Sequence, residues 1–246
     1  MGRLQGARPV MYVSTFLMRD GRVANLEAHL NRLREETTYN PALVDEVRVK
    51  LREAGPGIFR PAIRVGQTTV TVELHPSIMP AEEITVDAEG ILDQRRHPTR
   101  KGPDFGWQIR HLNMLRHSGS DAGLLIDERG NVISGVFSAV LFLDLKEGTV
   151  NVSAHQRASD SVTLEAALEL LTGAGLRIVE HPEGLTMLQL RSNETWLLSS
   201  MEGVRKVTGW LEYGSVLAPS SLSAPRLGAP THREINQRMW ERAGQV

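Results

Sequence analysis

Cysteine is absent from this sequence, so the chain can form no disulfide framework, no iron–sulfur cluster and no thiolate zinc site. Long apolar runs are absent as well, because no stretch approaches the roughly 20 residues that span a bilayer. The formal net charge is only -1, which gives no long-range field for holding nucleic acid or an anionic membrane. The expected partner is therefore a small molecule that local groups bind.

Several motifs of common enzyme classes are also missing. The sequence contains no GxGxxG, no P-loop, no HExxH and no GxSxG, so simple dinucleotide, nucleotide, zinc-protease and serine-hydrolase functions lose support. The N-terminal segment MGRLQGARPV lacks the apolar core of a secretory signal, which predicts a cytoplasmic location.

The first part of the chain has the patterns of an α+β unit. At 246 residues with 41% hydrophobic content, the chain is long enough for one large or two modest domains. The Asp20-Gly21 pair predicts a hairpin turn after the first strand. Apolar spacing predicts strands over residues 9–18, 59–75 and from Ile84, and helices over residues 25–36 and 41–53.

A basic, proline-broken segment, residues 94–104 (QRRHPTRKGPD), predicts a connection between domains. We therefore expect a small domain over residues 1–94 and a larger one over 95–246. In the second part, the patterns predict a hairpin between strands at 123–127 and 136–145, and further strands at 176–180, 195–200 and up to Trp210. They predict a strong helix at 160–174, a short helix near Met187 and a closing helix at 232–242. A mobile loop or lid is expected at 215–231.

Dispersed motifs carry the polar groups that suit chemistry. In chain order they are LEAHLNRL (26–33), RKGPD (100–104), DERGNVISGVFSAVLF (127–142), SDSVT (159–163) and LLSSMEGVRKV (197–207). Together they resemble, in order and spacing, the fold type IV pyridoxal-phosphate enzymes. This family includes class IV aminotransferases and 4-amino-4-deoxychorismate lyase. The resemblance implies a two-domain α+β fold like that of D-amino-acid aminotransferase, a cofactor site between the domains, and a homodimer.

The resemblance makes Lys101 the residue that forms a Schiff base with pyridoxal 5′-phosphate (PLP). Lysine suits this role because its amine condenses with an aldehyde, is displaced by a substrate amine, and then moves the substrate's Cα proton. Burial and a nearby cation lower the pKa of such an amine and make it usable. On composition alone, a lysine in a basic connection is more often simply solvated.

The resemblance also assigns a set of residues to the cofactor phosphate. Arg32 would bind it, since a guanidinium fork matches two phosphate oxygens. Backbone N–H groups at the start of the predicted helix would add to it. The remaining implied phosphate ligands are Ser161, Val162, Thr163, Ser200 and the Met201 amide. The alternatives are a solvated helix arginine, ordinary helix capping and a turn between strands.

Some positions depart from the family's pattern. Ser134 stands where a glutamate usually pairs with the pyridine nitrogen, Ala139 replaces an asparagine, and Leu164 replaces an arginine. A serine hydroxyl stabilises a protonated ring less well than a carboxylate. The sequence therefore predicts a PLP-dependent enzyme acting on an amino acid or related amine, with two alternatives: a lyase that eliminates pyruvate, and a ligand-binding homologue with reduced catalysis.

Overall fold

The first part of the chain forms a six-stranded sheet in the computed structural model, which describes residues 12–37, 40–66, 69–220 and 228–246. The strands are β1 (Tyr12–Thr15), β2 (Met18–Arg19), β3 (Arg22–Val23), β4 (Ile58–Val65), β5 (Val70–Pro76) and β16 (Gly244–Gln245). Their order is β1-β4-β2-β3-β16, with β5 also paired to β4. Asp20 and Gly21 both have positive φ, which gives the predicted tight hairpin between β2 and β3.

Two helices cover this sheet, α1 (Leu26–Glu36) and α2 (Pro41–Arg52). The periodic residues Leu26, Leu30 and Leu33 are fully buried against the strands. The helical spacing therefore predicted α1 correctly, and α2 likewise begins at the proline and ends near the predicted residue.

The second sheet has seven strands and forms the larger core. The strands are β6 (Glu83–Asp87), β10 (Ala139–Asp144), β11 (Thr149–Ser153), β12 (Arg177–His181), β13 (Glu194–Ser199), β14 (Gly203–Glu212) and β15 (Ser215–Leu217). Their order is β12-β11-β10-β13-β14-β15, with β6 parallel to β14. The helices α4 (Val162–Gly173) and α6 (His232–Glu241) cover one face around Trp196, and α5 (Met187–Ser192) covers the other.

A third, small sheet lies beside the second and contains β7 (Ile91–Leu92), β8 (Leu124–Ile126) and β9 (Val132–Gly135). Strands β6 and β7 precede the basic connection, yet they pair with strands of the second part, and β16 returns to the first sheet. The division into residues 1–94 and 95–246 stays a prediction, and the strand pairing favours a boundary between β5 and β6.

Some elements differ from the sequence predictions. Helix α3 (Phe105–His117) was not predicted, because only Gln108 and Leu115 of its residues are buried and no apolar stripe marks it. Strand β11 was also missed. The predicted loop at 215–231 begins as β15, and residues 221–227 lie outside the described residues, as do 9–11 of the first predicted strand. Over the described ranges, each helix is too short or too polar to cross a bilayer.

Candidate active site

A cleft, called here the central cleft, is lined by side chains of β1, α1, the connection before α3, the β9–β10 turn, the start of α4 and the end of β13. Most residues predicted for the site line it, namely Arg32, Lys101, Ser134, Ser161, Val162, Ser200 and Met201. Thr163 lies just behind this wall and lines a neighbouring second cleft, while its hydroxyl is 3.1 Å from that of Ser200. The fold thus brings the dispersed motifs together.

Lys101 is held by its backbone against the first sheet. The Val13 amide donates a hydrogen bond of 3.0 Å to the Lys101 carbonyl, and Gly102 adopts a φ of 123° directly beside Val13. Within the described residues, the Lys101 Nζ donates one hydrogen bond, to the Thr15 carbonyl at 3.5 Å. Burial, followed by the positive charge of Arg32, lowers the pKa of the Lys101 amine to about 8. A usable fraction of the amine is therefore unprotonated near neutral pH.

Arg32 and Glu165 form an ion pair that joins α1 to the first turn of α4. The Arg32 side chain is 25% exposed and also lines the central cleft. Because an arginine has five donors in a planar fork, pairing with one carboxylate oxygen leaves donors for a second anion. This position fits the predicted contact with a phosphate.

The start of α4 and the end of β13 form the floor of the site. Ser161 caps α4 by accepting a hydrogen bond of 3.2 Å from the Leu164 amide. The first amides of a helix have no partner inside the helix, and they favour an anion at this end. On the opposite side, the Ser200 carbonyl accepts a 2.8 Å hydrogen bond from Leu17, which ties this turn to the first sheet.

Ser134 is buried in β9, and its hydroxyl donates a 3.0 Å hydrogen bond to the Gly135 carbonyl. This bond occupies the single hydroxyl proton, so the residue presents only its lone pairs to the cleft. No carboxylate stands at this position, and Ala139 also lines the cleft as an apolar residue.

Sequence reasoning missed His29 as a member of the site. It lies three residues before Arg32, so both project from the same side of α1. Burial, followed by the charges of Lys101 and Arg32, lowers the pKa of His29 to about 3, and its ring lies 4.9 Å from that of Phe16. A neutral histidine therefore separates the central cleft from the second cleft. The spacing within LEAHLNRL was the available signal.

The donor set fits the cofactor predicted from the sequence. PLP needs an amine for its aldehyde and several donors for its phosphate. The cleft supplies a buried amine with little hydrogen bonding, a guanidinium, hydroxyls and a helix N-terminus. The buried Thr15 hydroxyl oxygen, also on this wall, has no hydrogen-bond partner within the described residues.

We expect the pH dependence of Lys101 labelling in the cofactor-free protein to show a midpoint near its pKa of about 8. Only the unprotonated amine reacts, so the labelling rate rises with pH through this midpoint. Arg32→Met removes a positive charge that opposes protonation of Lys101, and the midpoint should therefore move to higher pH. Mass spectrometry of the Lys101 peptide after competitive labelling measures the midpoint in the wild type and in the variant. Identical midpoints in the two proteins would contradict the assignment of Arg32 as a neighbour of the amine.

Comparisons with known proteins agree with this geometry. The model of the amino-transferase class IV family matches residues 13–210. A fold IV-transaminase from Curtobacterium pusillum has 17% identity and a TM-score of 0.70, covering 96% of this chain and 85% of that one. A candidate 4-amino-4-deoxychorismate lyase has 23% identity and a TM-score of 0.69, covering 93% and 92%. A PLP-bound hypothetical aminotransferase from Mycobacterium tuberculosis has 17% identity and a TM-score of 0.69, covering 96% and 90%.

Curated protein sequences give no match to this chain. At these identities the solved structures establish the fold alone, and they confirm the predicted α+β architecture of fold type IV. The family model spans most of the chain, from β1 into β14. This protein therefore belongs to the amino-transferase class IV family.

Proposed function

We propose that Lys101 carries the cofactor of this class IV enzyme and that the substrate is a small amino acid or related amine. Membership of the family makes PLP the cofactor. The observation that carries the assignment is the buried Lys101 amine, whose lowered pKa of about 8 occurs in a cleft that also contains phosphate-binding groups. When bound, PLP supplies an aldehyde for amines and a ring that makes the substrate's Cα proton acidic.

In this proposal the phosphate is bound from two sides. Arg32 and the first amides of α4, at Val162 and Thr163, hold one side, with Ser161 as the helix cap. Ser200 and the Met201 amide hold the other side, and the Thr163 hydroxyl supports Ser200 from behind at 3.1 Å. Groups fixed by a helix and a strand end need little reorganisation on binding.

Lys101 is also the proposed acid–base group. A lysine with a pKa of about 8 can accept the proton from the substrate's Cα and return it near neutral pH. The Val13 hydrogen bond and the Gly102 contact fix the backbone that presents this amine. Phe105 and Phe137 form an edge-to-face pair on the wall of the cleft, with 5.4 Å between their ring centroids, and make this part of the wall apolar.

Amino-group exchange is the leading reaction, and Ser134 favours a second candidate, elimination of pyruvate in the manner of a lyase. The Ser134 hydroxyl donates to Gly135 and cannot supply the negative charge that keeps a pyridine nitrogen protonated. An elimination driven by aromatisation of the product depends less on that charge. A ligand-binding homologue with reduced catalysis remains the outcome if neither reaction occurs.

The test of the reaction compares both products with one preparation. The cofactor-loaded protein is assayed for amino-group transfer from a panel of amino acids to 2-oxo acids, and for pyruvate released from aminodeoxychorismate. We expect one of the two to exceed the background by at least about 100-fold, the lower range for positioned acid–base catalysis. Failure of both would overturn the enzymatic proposal.

Three further proposals concern the whole protein. We propose a homodimer, which the resemblance to the fold type IV family implies. Light scattering would give a mass near 27.2 kDa for a monomer and contradict this. The domain division and the cytoplasmic location also remain proposals.

A further inference from the structure

Two segments without helix or strand carry the groups that the proposed function needs. One runs from residue 93 to 104 and presents Lys101, and the other runs from 154 to 161 and leads into α4. Among the described residues, no backbone–backbone hydrogen bond joins one segment directly to the other. A charged cluster, which we call the Asp93 cluster, joins them and consists of Asp93, Arg95 and Arg157.

The Asp93 carboxylate accepts hydrogen bonds from both arginines. Arg95 binds it in a bidentate manner, with Nε at 2.9 Å and an Nη at 3.0 Å, and Arg157 Nε binds at 2.9 Å. The Asp93 side chain is 1% exposed and that of Arg95 is 5% exposed. Burial raises the pKa of Asp93, but the hydrogen bonds from Arg95 and Arg157 outweigh it and hold the pKa below its ordinary value. The carboxylate is therefore charged throughout the neutral range.

The remaining donors bind backbone carbonyls across the gap between the segments. Arg157 reaches the carbonyls of Asp93 at 3.1 Å and Arg95 at 2.8 Å. In return, Arg95 donates to the Arg157 carbonyl at 3.0 Å, and within its own segment it donates to the Pro98 carbonyl at 3.0 Å. These charge-assisted hydrogen bonds thus hold the two segments at a fixed separation.

Arg95 also lines the central cleft beside Lys101 and Ser161. Its Nε and both terminal nitrogens already donate to Asp93 or to the carbonyls of Pro98 and Arg157, so it has little capacity left for a substrate or a phosphate. Because its donors bind Asp93 and backbone carbonyls of the cleft wall, Arg95 is best explained as a residue that holds this wall together.

We propose that Asp93, Arg95 and Arg157 are positioning residues that set the distance between the Lys101 amine and the phosphate-binding end of α4. This inference rests on the proposed function. Pro98 lies three residues before Lys101, and Arg157 lies four residues before Ser161. A shift of either segment at the cluster therefore moves Lys101 relative to the start of α4, which would bind opposite ends of the cofactor. The affinity of a ligand that binds to Lys101 and to the start of α4 at once depends on this distance, whereas the affinity of a ligand that binds to the lysine alone does not.

The test compares PLP with pyridoxal, which keeps the aldehyde and lacks the phosphate. Binding of each to the cofactor-free protein is titrated by absorbance in the wild type and in Arg157→Met. We expect PLP to bind about tenfold or more weakly to the variant, the scale of lost charge-assisted hydrogen bonds, while pyridoxal changes less than about twofold. Arg157→Lys keeps the charge and should restore part of the preference for PLP.

The controls separate positioning from general stability. Arg129→Met removes an exposed arginine whose partner Glu183 is also exposed, and it should leave both affinities unchanged. Asp93→Asn keeps the side-chain shape and provides a second variant if Arg157→Met fails to fold. Equal weakening of PLP and pyridoxal, or no change in either, would overturn the positioning role. A wild type that binds neither would instead overturn the proposed function.

Discussion

Lys101→Met should abolish covalent attachment of PLP and lower the proposed activity by about 10²–10⁴-fold, the contribution of a positioned proton-transfer group. The amine is the group that would react with the aldehyde, and among the described lysines only Lys101 lines the central cleft. The wild type with added PLP should show a visible absorbance band and, after borohydride reduction, a PLP-modified Lys101 peptide. Both signals should disappear in the variant.

Two comparisons distinguish the loss of the Lys101 amine from a loss of folding. Burial lowers the pKa of Lys101 to about 8, so at pH 7 the folded chain holds a buried ammonium at a cost in stability. That cost is present below pH 8 and is relieved as pH rises toward 10.5, so Lys101→Met should be at least as stable as the wild type at pH 7. Lys146→Met removes an exposed lysine and should keep the PLP-modified peptide. Retention of the visible band in Lys101→Met would refute the assignment.

Helices with a clear apolar pattern could be predicted from the sequence alone. Helix α1 is marked by Leu26, Leu30 and Leu33, and α4 by a serine cap and a long apolar stripe. Lys101 and Arg32 lie far apart in the chain, and only the resemblance to a family placed them together, since no periodicity links them. The structure places both on one cleft.

Other features could not be predicted because they depend on contacts between distant segments. Helix α3 buries Gln108 and Leu115 and presents mixed residues elsewhere, so its apolar pattern is too weak to recognise. The Asp93 cluster requires Arg157 to meet a residue 64 positions earlier. The low pKa of His29 arises from burial beside Lys101, which helical spacing alone does not reveal.

Gly102→Ala should lower the free energy of unfolding by about 3 kcal/mol or more and disturb the Lys101 position. Gly102 has a φ of 123°, a conformation that side chains with a Cβ rarely adopt. An added Cβ would lie 2.9 Å from the Val13 nitrogen and 3.3 Å from the Tyr12 carbonyl carbon. Because these atoms belong to the backbone of β1, relief requires the strand to move and the Val13 to Lys101 hydrogen bond of 3.0 Å to break.

Gly119→Ala is the matched control for this effect. Gly119 also has a positive φ, 95°, but an added Cβ there has nothing within 4 Å. The control therefore carries the backbone strain, about 1–3 kcal/mol, without the collision. The difference between the two variants in denaturant unfolding isolates the contact between Gly102 and β1, and only Gly102→Ala should also weaken PLP binding. Equal destabilisation by both alanines would mean that β1 can shift at little cost in free energy, and that this contact does not hold the Lys101 backbone.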